Sequence, residues 1–586
     1  MYKSLERYIQ FLQSKGELIR IREFVDPVLQ IAEIADRVSK SPHGGKALLF
    51  ENTGTNFPAL INAFGSDKRI AYALGANNIN DISKGINNLL KTLTTPMNSM
   101  RDKLKLLPTL KRAVGWMPKI VGAKGKCQEI IIRKPDLGIL PVLQCWPYDG
   151  GRFFTLPLVH TKDAETGIRN TGMYRMQIFD KNTTGMHWHK HKTGARHYEQ
   201  YKAQGRLMPV AVALGGDPVY TWCATAPLPD NIDEYLLAGY LRNKRVELVH
   251  CISHDIEVPA DADIVIEGYV DPAEDLLIEG PFGDHTGFYS LEDLYPRFHV
   301  TCITHRRNAV YPATIVGIPP HEDAYIAKAS ERIFLEPIRF AISPEVEDIH
   351  MPKVGIAHNI AVVKIKKSYP GQAIKVAHAL WGAGQMMFCK VIVVVGDNID
   401  THDYNEVLKA VAMRWNPQTD THFSKGILDV LDHAAQVMGY GGKMCIDATE
   451  KLPEELCQGK NNVQCGELIK FYHKSDKPRT NARIVITFDD NVDLTDIETC
   501  VWLAGNNIDI SRDCSIENDM LLIDATIKHK GYKGFNRPFP NVLCSSTETI
   551  KQIDEMWNIL KIGDFIASPS LRYQKLVQLG KAAIDE

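Results

Sequence analysis

The stretch Glu274-Asp-Leu-Leu-Ile-Glu279-Gly-Pro-Phe-Gly-Asp-His-Thr-Gly-Phe-Tyr289 decides how the rest of the chain is read. Glu274 and Glu279 are spaced so that they share neither a helix face nor a strand face, and a loop must present them if they are to act together. Gly280-Pro281-Phe282-Gly283-Asp284 supplies such a loop. Two carboxylates on a Gly/Pro turn beside His285 suit proton transfer, because neighbouring like charges push one pKa towards neutrality. A solvated acidic turn between strands would read the same way.

Working outward, the 586 residues are too many for one core and imply three or four domains. Lys+Arg number 68 against 70 Asp+Glu, so the near-balance argues against a nucleic-acid or polyanion binder and for a small-molecule protein. The 12 cysteines show neither C-x-x-C nor zinc-ribbon spacing, which fits reduced thiols. The charged start Met1-Tyr-Lys-Ser-Leu-Glu-Arg has no apolar signal core, and no run is apolar for long enough to span a bilayer. The expected location is the cytoplasm.

Leu5, Tyr8, Ile9 and Leu12 predict a helix ended by Gly16, and Asp26-Pro27 predicts a second, with Asp26 as cap and Val28, Ile31, Ala32 and Ala35 on one face. Ala47–Phe50 and Ala59–Asn62 read as buried strands of a small α/β domain. Residues 91–125, with Lys91, Lys103, Lys105, Lys111, Arg112 and Lys119, read as a solvated connector. From 127 to 316 short runs rich in β-branched residues, Ile130–Ile132, Val210–Ala213, Ile264–Ile266 and Val310–Val316, recur between turn residues, the pattern of a β-rich barrel or sandwich.

Three polar clusters sit in this β-rich part. In Asn170-Thr-Gly-Met-Tyr-Arg175 the arginine offers a fork for a carboxylate or phosphate, or makes a structural ion pair. In His187-Trp-His189-Lys-His191 alternation places three imidazoles on one strand face, which suits a metal. Ala224-Thr-Ala-Pro-Leu-Pro-Asp-Asn-Ile-Asp-Glu234 reads as a turn and helix start capped near Asp230 or Asn231, where consecutive amides would cradle a phosphate or simply cap the helix.

Beyond 320 strands and helices alternate. Lys390-Val-Ile-Val-Val-Val395 and Asp397-Asn-Ile-Asp400 are echoed by Arg483-Ile-Val-Ile-Thr487 and Asp490-Asn-Val-Asp493. Ile446-Asp-Ala-Thr-Glu-Lys451 is echoed by Ile523-Asp-Ala-Thr-Ile-Lys528, whereas Asp429–Gly442 has no counterpart. A partly duplicated strand–helix unit that extends the sheet or widens a subunit interface is the reading. Ile550, Ile553, Trp557 and Leu560 form an apolar stripe for an oligomer contact or for the chain's own core.

The clusters, in this order, resemble the UbiD family of prenylated-FMN-dependent decarboxylases. The likeness runs from Gly16-Glu-Leu-Ile-Arg20 through Ala47–Asn52, Asn170–Arg175 and Glu279–Gly287 to Gly442-Lys-Met-Cys-Ile-Asp-Ala-Thr449. It implies an α/β (α+β multidomain) fold: an N-terminal α/β domain and connector (1–125), a central split β-barrel flavin domain (126–318), a C-terminal α/β domain (319–451), the partial duplication (452–548), and a C-terminal helix and tail (549–586).

The resemblance further implies that Asn170, His191 and Glu234 hold Mn2+, which with K+ anchors the flavin phosphate; Ala224, Thr225, Ala226 and Pro227 match the phosphate and potassium turn. Met173, Tyr174, Arg175 and Lys390 complete the cofactor-binding set. Arg175, Glu274 and Glu279 match the catalytic network, with Glu279 as proton donor and Glu274 ion-paired to Arg175. The cofactor would act as electron sink in a reversible, non-oxidative decarboxylation of an aromatic or α,β-unsaturated acid. Carboxylation of a phenol-like or arene substrate, or an inactive flavin-binding assembly paralogue, are the rival readings. A flavin prenyltransferase would supply the cofactor, and the chain would form a homodimer or higher homo-oligomer, peripheral to a membrane if its substrate is a quinone precursor.

Overall fold

A computed structural model describes residues 2, 4–94, 100–456, 467–477 and 480–584. The chain divides into two compact units, residues 1–329 with 543–573 and residues 330–542 with 574–586.

In the first unit the helix Leu5–Ser14 starts where the Ser4 hydroxyl accepts the Arg7 N–H, and it buries the predicted stripe Leu5, Tyr8, Ile9 and Leu12. A four-stranded sheet follows in the spatial order Leu18–Phe24, Ala47–Asn52, Ala59–Ile61 and Tyr311–Pro312. The second helix spans Gln30–Ser39, later than Asp26-Pro27 predicts. The Asp26 carboxylate is used in a turn, accepting the Val28 N–H at 2.8 Å, and Leu29 donates to the Gln144 carbonyl, which holds the chain out of helical register until Gln30. Over its described residues the expected connector is mostly helical: it holds the end of Ile79–Thr94 and the helix Met100–Val114, whose Leu, Lys and Arg residues favour helix, and then leaves helix for the short strand Lys119–Ile120; residues 95–99 lie outside the described residues.

The apolar stripe Ile550, Ile553, Trp557 and Leu560 lies on the helix Thr547–Leu560 and is buried within this same unit. Arg37 of the helix Gln30–Ser39 is its anchor. It donates to Glu33 Oε1 (2.7 Å), Asp554 Oδ1 (2.7 Å) and the carbonyls of Ile566 and Ile550, with its guanidinium 5.4 Å from the Trp557 ring.

The central part is built on an antiparallel sheet in the order Thr183–Gly185, Arg297–His305, Ile264–Val270, Met208–Leu214, Leu158–Lys162 and Arg169–Met173, with Ile130–Ile132 pairing beside Arg297–His305. Met208–Leu214 and Ile264–Val270 are buried along nearly their whole length, which explains their continuous apolar runs. The hydrogen-bonded path is open: Thr183–Gly185 and Arg169–Met173 are its two ends.

Among its described residues the second unit carries two sheets of four or more strands, besides the short pairing of Phe539–Pro540 with Ala583–Ile584. The first runs Val346–His350, Ile360–Ile365, Val391–Val395, Tyr440–Ala448, Thr421–Ile427, and buries Ala361, Val363, Ile392 and Val394 with Val376 and Leu380 of the helix Gln372–Trp381. The second runs Ile469–His473, Ile484–Phe488, Met520–Asp524, Cys514–Glu517. Each has three parallel strands closed at one edge by an antiparallel hairpin, and the first adds Val346–His350, antiparallel to Ile360–Ile365, at its other edge. In the second sheet that hairpin turns through Asn518 and Asp519 at φ 50° and 61°, the backbone a tight two-residue turn requires; in the first, residues 428–439 occupy the same place.

The echo therefore makes a separate sheet and does not extend the first. It binds the segment that it lacks: Asp509 accepts the Gly442 N–H at 3.0 Å, and Arg537 donates to the carbonyls of Asp432 (3.0 Å) and Ala435 (2.8 Å).

Because the Arg37 and Glu33 side chains are both fully buried, Arg37→Met is expected to cost about 3–5 kcal/mol by stranding the Glu33 charge. Glu33→Gln added to it should recover most of that loss. Chemical denaturation of the two variants checks this, and an undiminished loss in the double variant would show that packing, not the stranded charge, dominates.

Candidate active site

The loop in the opening motif is held from three sides. Gln177 accepts the Gly280 N–H (2.7 Å) and donates to the Gly150 carbonyl (2.7 Å), while the Gly150 N–H reaches the Pro281 carbonyl (2.7 Å). Asp149 accepts N–H groups of Cys145, Trp146 and Gly283. Burial pushes the Asp149 carboxyl up to about 7 despite these donors. Two positions demand glycine: Gly280 has φ 103°, and a Cβ on Gly283 would lie 2.1 Å from Trp146 Cδ1.

This rigid loop carries two carboxylates to one guanidinium. Arg175 Nε and Nη2 donate to Glu279 Oε1 and Oε2 at 3.0 and 3.2 Å, Nη1 donates to Asp284 Oδ2 at 2.5 Å, and Nη2 also reaches Ser290 Oγ at 3.0 Å. The Phe282 ring lies 4.7 Å from the guanidinium. On the other side of Glu279, His187 Nδ1 is 2.6 Å from Oε2, and His187 Nε2 is 2.7 Å from His189 Nε2.

Burial alone would raise the Glu279 carboxyl, but the Arg175 charge and the His187 N–H outweigh it and hold it at about 2. At Asp284 burial is likewise outweighed, by His285 and Arg175, and its carboxyl lies below the usual carboxylate range. Burial and the Arg175 charge lower the His187 imidazole, so it is neutral at neutral pH; facing an anionic oxygen, it carries its proton on Nδ1.

Glu274 is not part of this group. Its ion pair with Arg175, expected from the sequence, is absent: Glu274 Oε2 bonds His299 Nε2 at 2.7 Å and lies 3.9 Å from Arg297 Nε, with 35% of the side chain exposed against 1% for Glu279. The reason is local. Glu274 lies in a turn whose N–H returns to the Asp271 carbonyl, before the strand Leu277–Glu279 points Glu279 inward. Asp284 takes the second carboxylate place. The same five-residue spacing argument applies to Glu279 and Asp284, and the Gly-Pro-Phe-Gly turn lies between those two, so Asp284 was available from the sequence.

The three histidines do not share a strand face. The strand Thr183–Gly185 ends before them, and the Trp188 N–H to Met186 and Lys192 N–H to His189 carbonyl bonds break the alternation. His187 is buried against Glu279, whereas His191 is exposed on a cavity of about 820 Å³ shared with Lys190 and Arg196.

Asn170, Met173, Tyr174, Ala224 and Glu234 do come together. The Thr171 N–H in the strand Arg169–Met173 donates to Glu234 Oε2 at 2.9 Å, and the Met173 N–H donates to the Ala224 carbonyl at 3.2 Å. Burial raises the Tyr174 phenol to about 12 and the Glu234 carboxyl to about 7. A carboxylate whose charged form is disfavoured by burial, beside a primary amide, is a hard-oxygen donor pair that fits a divalent cation. Among the described residues no hydrogen bond or ion pair joins His191 to Asn170 or Glu234.

Two further expectations are corrected. The amides of Ala224, Thr225 and Ala226 donate to the carbonyls of Tyr220, Trp222 and Cys223, so this turn, which also holds Pro227, continues the helix Val219–Cys223 and offers carbonyl oxygens in place of an amide cradle. The following helix is capped by Asp233, whose side chain accepts the Tyr235 N–H, rather than by Asp230 or Asn231. Lys390 lies in the second unit, buried, with Asp432 Oδ2 at 2.7 Å and the carbonyls of Gly505 and Ile508 at 2.8 and 2.9 Å. Its three N–H donors are thereby spent within that unit, which leaves none for a phosphate.

Site and fold together define a multidomain α/β protein with a buried arginine–carboxylate centre on an antiparallel sheet. Models of the 3-octaprenyl-4-hydroxybenzoate carboxy-lyase family match its N-terminal domain at residues 9–86, its Rift-related domain at 119–319 and its C-terminal domain at 324–448. The chain belongs to this family, the UbiD family. An uncharacterised protein of Aquifex aeolicus is 50% identical over 456 residues, 78% of this chain and 93% of that one. Another, of Archaeoglobus fulgidus, is 46% identical over 457 residues, again 78% and 93%.

Among solved structures, the vanillic acid decarboxylase of Sedimentibacter hydroxybenzoicus in its closed form aligns with TM-score 0.67 at 26% identity, over 78% of this chain and 94% of that one. An evolved dimeric form of the UbiD-class enzyme HmfF from Pelotomaculum thermopropionicum, in complex with prFMN, aligns with TM-score 0.64 at 28% identity, over 77% and 96%.

The Glu279 shift sets a pH signature. A carboxyl held at about 2 contributes its stability in full above the ordinary glutamate value, near 4.3, and loses it as pH falls towards 2. In Arg175→Met only the His187 contact still opposes burial, and the Glu279 carboxyl moves up from about 2. The stability difference between wild type and variant should therefore be greatest above about pH 5 and shrink on acidification. Unfolding free energies measured across this range check it; a pH-independent difference would show that charge does not hold the pair.

Proposed function

We propose that this chain is a prenylated-FMN-dependent, non-oxidative decarboxylase of an aromatic or α,β-unsaturated carboxylic acid, able by microscopic reversibility to run as a carboxylase. The observation that carries the reading is the buried Arg175 clamped between Glu279 and Asp284, on a chain whose solved relatives include a vanillic acid decarboxylase and a UbiD-class enzyme bound to prFMN.

When bound, the flavin supplies an electron sink for the carbon that loses carbon dioxide. The chain does the rest. Arg175 provides a fixed positive charge for a substrate carboxylate, and its burial keeps that charge strong. Glu279 delivers the proton that replaces the lost carboxyl. In the resting site Glu279 is anionic, so it must first be loaded, and His187 is placed to relay the proton: Nδ1 passes its proton to Oε2 while Nε2 takes one from the His189 Nε2 side, the net proton coming from solvent. A substrate carboxylate entering beside Arg175 competes for its charge and raises the Glu279 pKa towards that of a working acid. Asp284 holds the opposite edge of the guanidinium and keeps its fork oriented.

Asn170 and Glu234 would hold Mn2+, with His191 as the third ligand, and the carbonyl-rich end of the turn Ala224–Pro227 would favour K+. A flavin prenyltransferase would supply the cofactor, and the chain would act as a homo-oligomer. A 4-hydroxybenzoate-type acid is the substrate class that the matching family's name suggests. No helix among the described residues is long and apolar enough to cross a membrane.

The direct test is the chain loaded with prenylated FMN and offered a panel of aromatic and unsaturated acids. Carbon dioxide release or exchange of labelled bicarbonate is expected, and cofactor binding with neither would overturn the reading. Glu279→Gln should lower turnover by about 100-fold or more while the flavin spectrum persists, whereas Glu274→Gln should stay within about fivefold, as for an exposed pair. Equal losses in the two would return Glu274 to the catalytic group. Glu234→Gln and His191→Ala should each lower retained manganese about tenfold or more, measured by elemental analysis; an unchanged content removes that residue from the ligand set.

A further inference from the structure

Among the described residues three groups of side chains outside this site bring metal-ligating atoms within 4.8 Å of one another: Glu331, His350 and His402; His250, Asp255 and Glu257; and Cys251, His254 and Glu267. Their electrostatics differ. Glu331 already meets Arg332 Nε at 2.9 Å, and Glu257 meets both Lys162 and Arg169 at 2.8 and 3.0 Å, so a cation entering either group must displace an ion pair. Glu267 carries no ion pair among the described residues although it is fully buried. Its oxygens accept only the N–H groups of Ile252 (3.0 Å) and Ser253 (2.7 Å) and the Ser253 hydroxyl (2.8 Å). A buried carboxylate without a counter-charge is the costly arrangement that a bound cation relieves.

The neighbouring donors are prepared for one. His254 Nε2 lies 3.0 Å from the Val210 carbonyl, to which it can only donate, so the ring carries its proton there and Nδ1 keeps a lone pair; Nδ1 is buried without a hydrogen-bond partner. An imidazole oriented through its distal N–H by a carbonyl is how metal-bound histidines are held. Cys251 stands three positions before His254 in Cys251-Ile-Ser-His254, on the loop after the strand Glu247–His250, and its N–H to the Ile256 carbonyl (2.8 Å) closes that loop over the strand Ile264–Val270 bearing Glu267.

We propose that Cys251, His254 and Glu267 form a structural metal site for a thiophilic divalent cation, zinc by preference, which pins the 251–256 loop to the central sheet. A thiolate, an imidazole and a carboxylate give a mixed set that selects zinc over manganese. Binding releases the Cys251 thiol proton to solvent and changes no oxidation state. The site is independent of the decarboxylase reading.

The test uses the full chain stripped with a chelator and given cobalt(II) or zinc alone. Cobalt should produce a thiolate-to-metal charge-transfer absorption. Zinc absorption spectra should show a sulfur scatterer at about 2.3 Å and a nitrogen at about 2.0 Å, and zinc should raise Tm. Cys251→Ser should abolish the cobalt band, and His254→Gln should weaken it about tenfold or more, while Glu234→Gln leaves the thiolate band unchanged. Wild-type protein that shows neither the cobalt band nor a sulfur scatterer overturns the proposal, whatever the variants do. A band that survives in folded Cys251→Ser overturns it too.

Discussion

A guanidinium buried between two carboxylates is stable only if both anions are delivered to it at hydrogen-bonding distance, and Arg175 with Glu279 and Asp284 imposes that requirement on much of the first unit. The strand Leu277–Glu279 must turn Glu279 inward, and the next residues must reverse tightly enough to bring Asp284 to the other edge of the same fork. Gly280 at φ 103° and Gly283 against Trp146 permit that reversal. Gln177, Gly150 and Asp149 then fix it from elements distant in sequence. Removing any of these contacts would loosen the position of a charge, and in a low-dielectric site small displacements of charge are energetically large.

The same arrangement explains why two glutamates of one short stretch behave so differently. Glu279 is buried between an arginine and a neutral imidazole, which drives it to about 2. Glu274 stays partly solvated beside His299. Chemistry follows environment here rather than residue type, and the His187 contact makes the difference more than electrostatic, because it connects Glu279 to a group that carries a proton.

In the second unit the added module has a comparable effect on a different segment. Its Asp509 and Arg537 hold residues 432–442 by their backbone, and its Gly505 and Ile508 carbonyls complete the coordination of Lys390. The family models end at residue 448, so these contacts come from a part of the chain outside the matched domains. A lysine that the family pattern assigns to a cofactor is here neutralised by Asp432 and by this extra structure.

Much of this was legible in the chain itself. The apolar stripes placed the helix Leu5–Ser14 and the buried face of Thr547–Leu560, and the continuous β-branched runs placed the strands Met208–Leu214 and Ile264–Val270, because burial follows periodicity directly. The opening motif identifies Glu279 and its loop, and the repeated Asp-Asn-x-Asp and Ile-Asp-Ala-Thr segments mark two strand units of like order.

What spacing could not decide was partnership. Whether Arg175 meets Glu274 or Asp284, whether His187 or His191 faces inward, and whether Lys390 is free depends on turns at 186–192 and 271–284 and on carbonyls more than a hundred residues away. The sequence by itself determined which residue types and elements exist. Only the tertiary structure decided which charges touch, because an ion pair is fixed by the packing of several elements at once and by no local pattern.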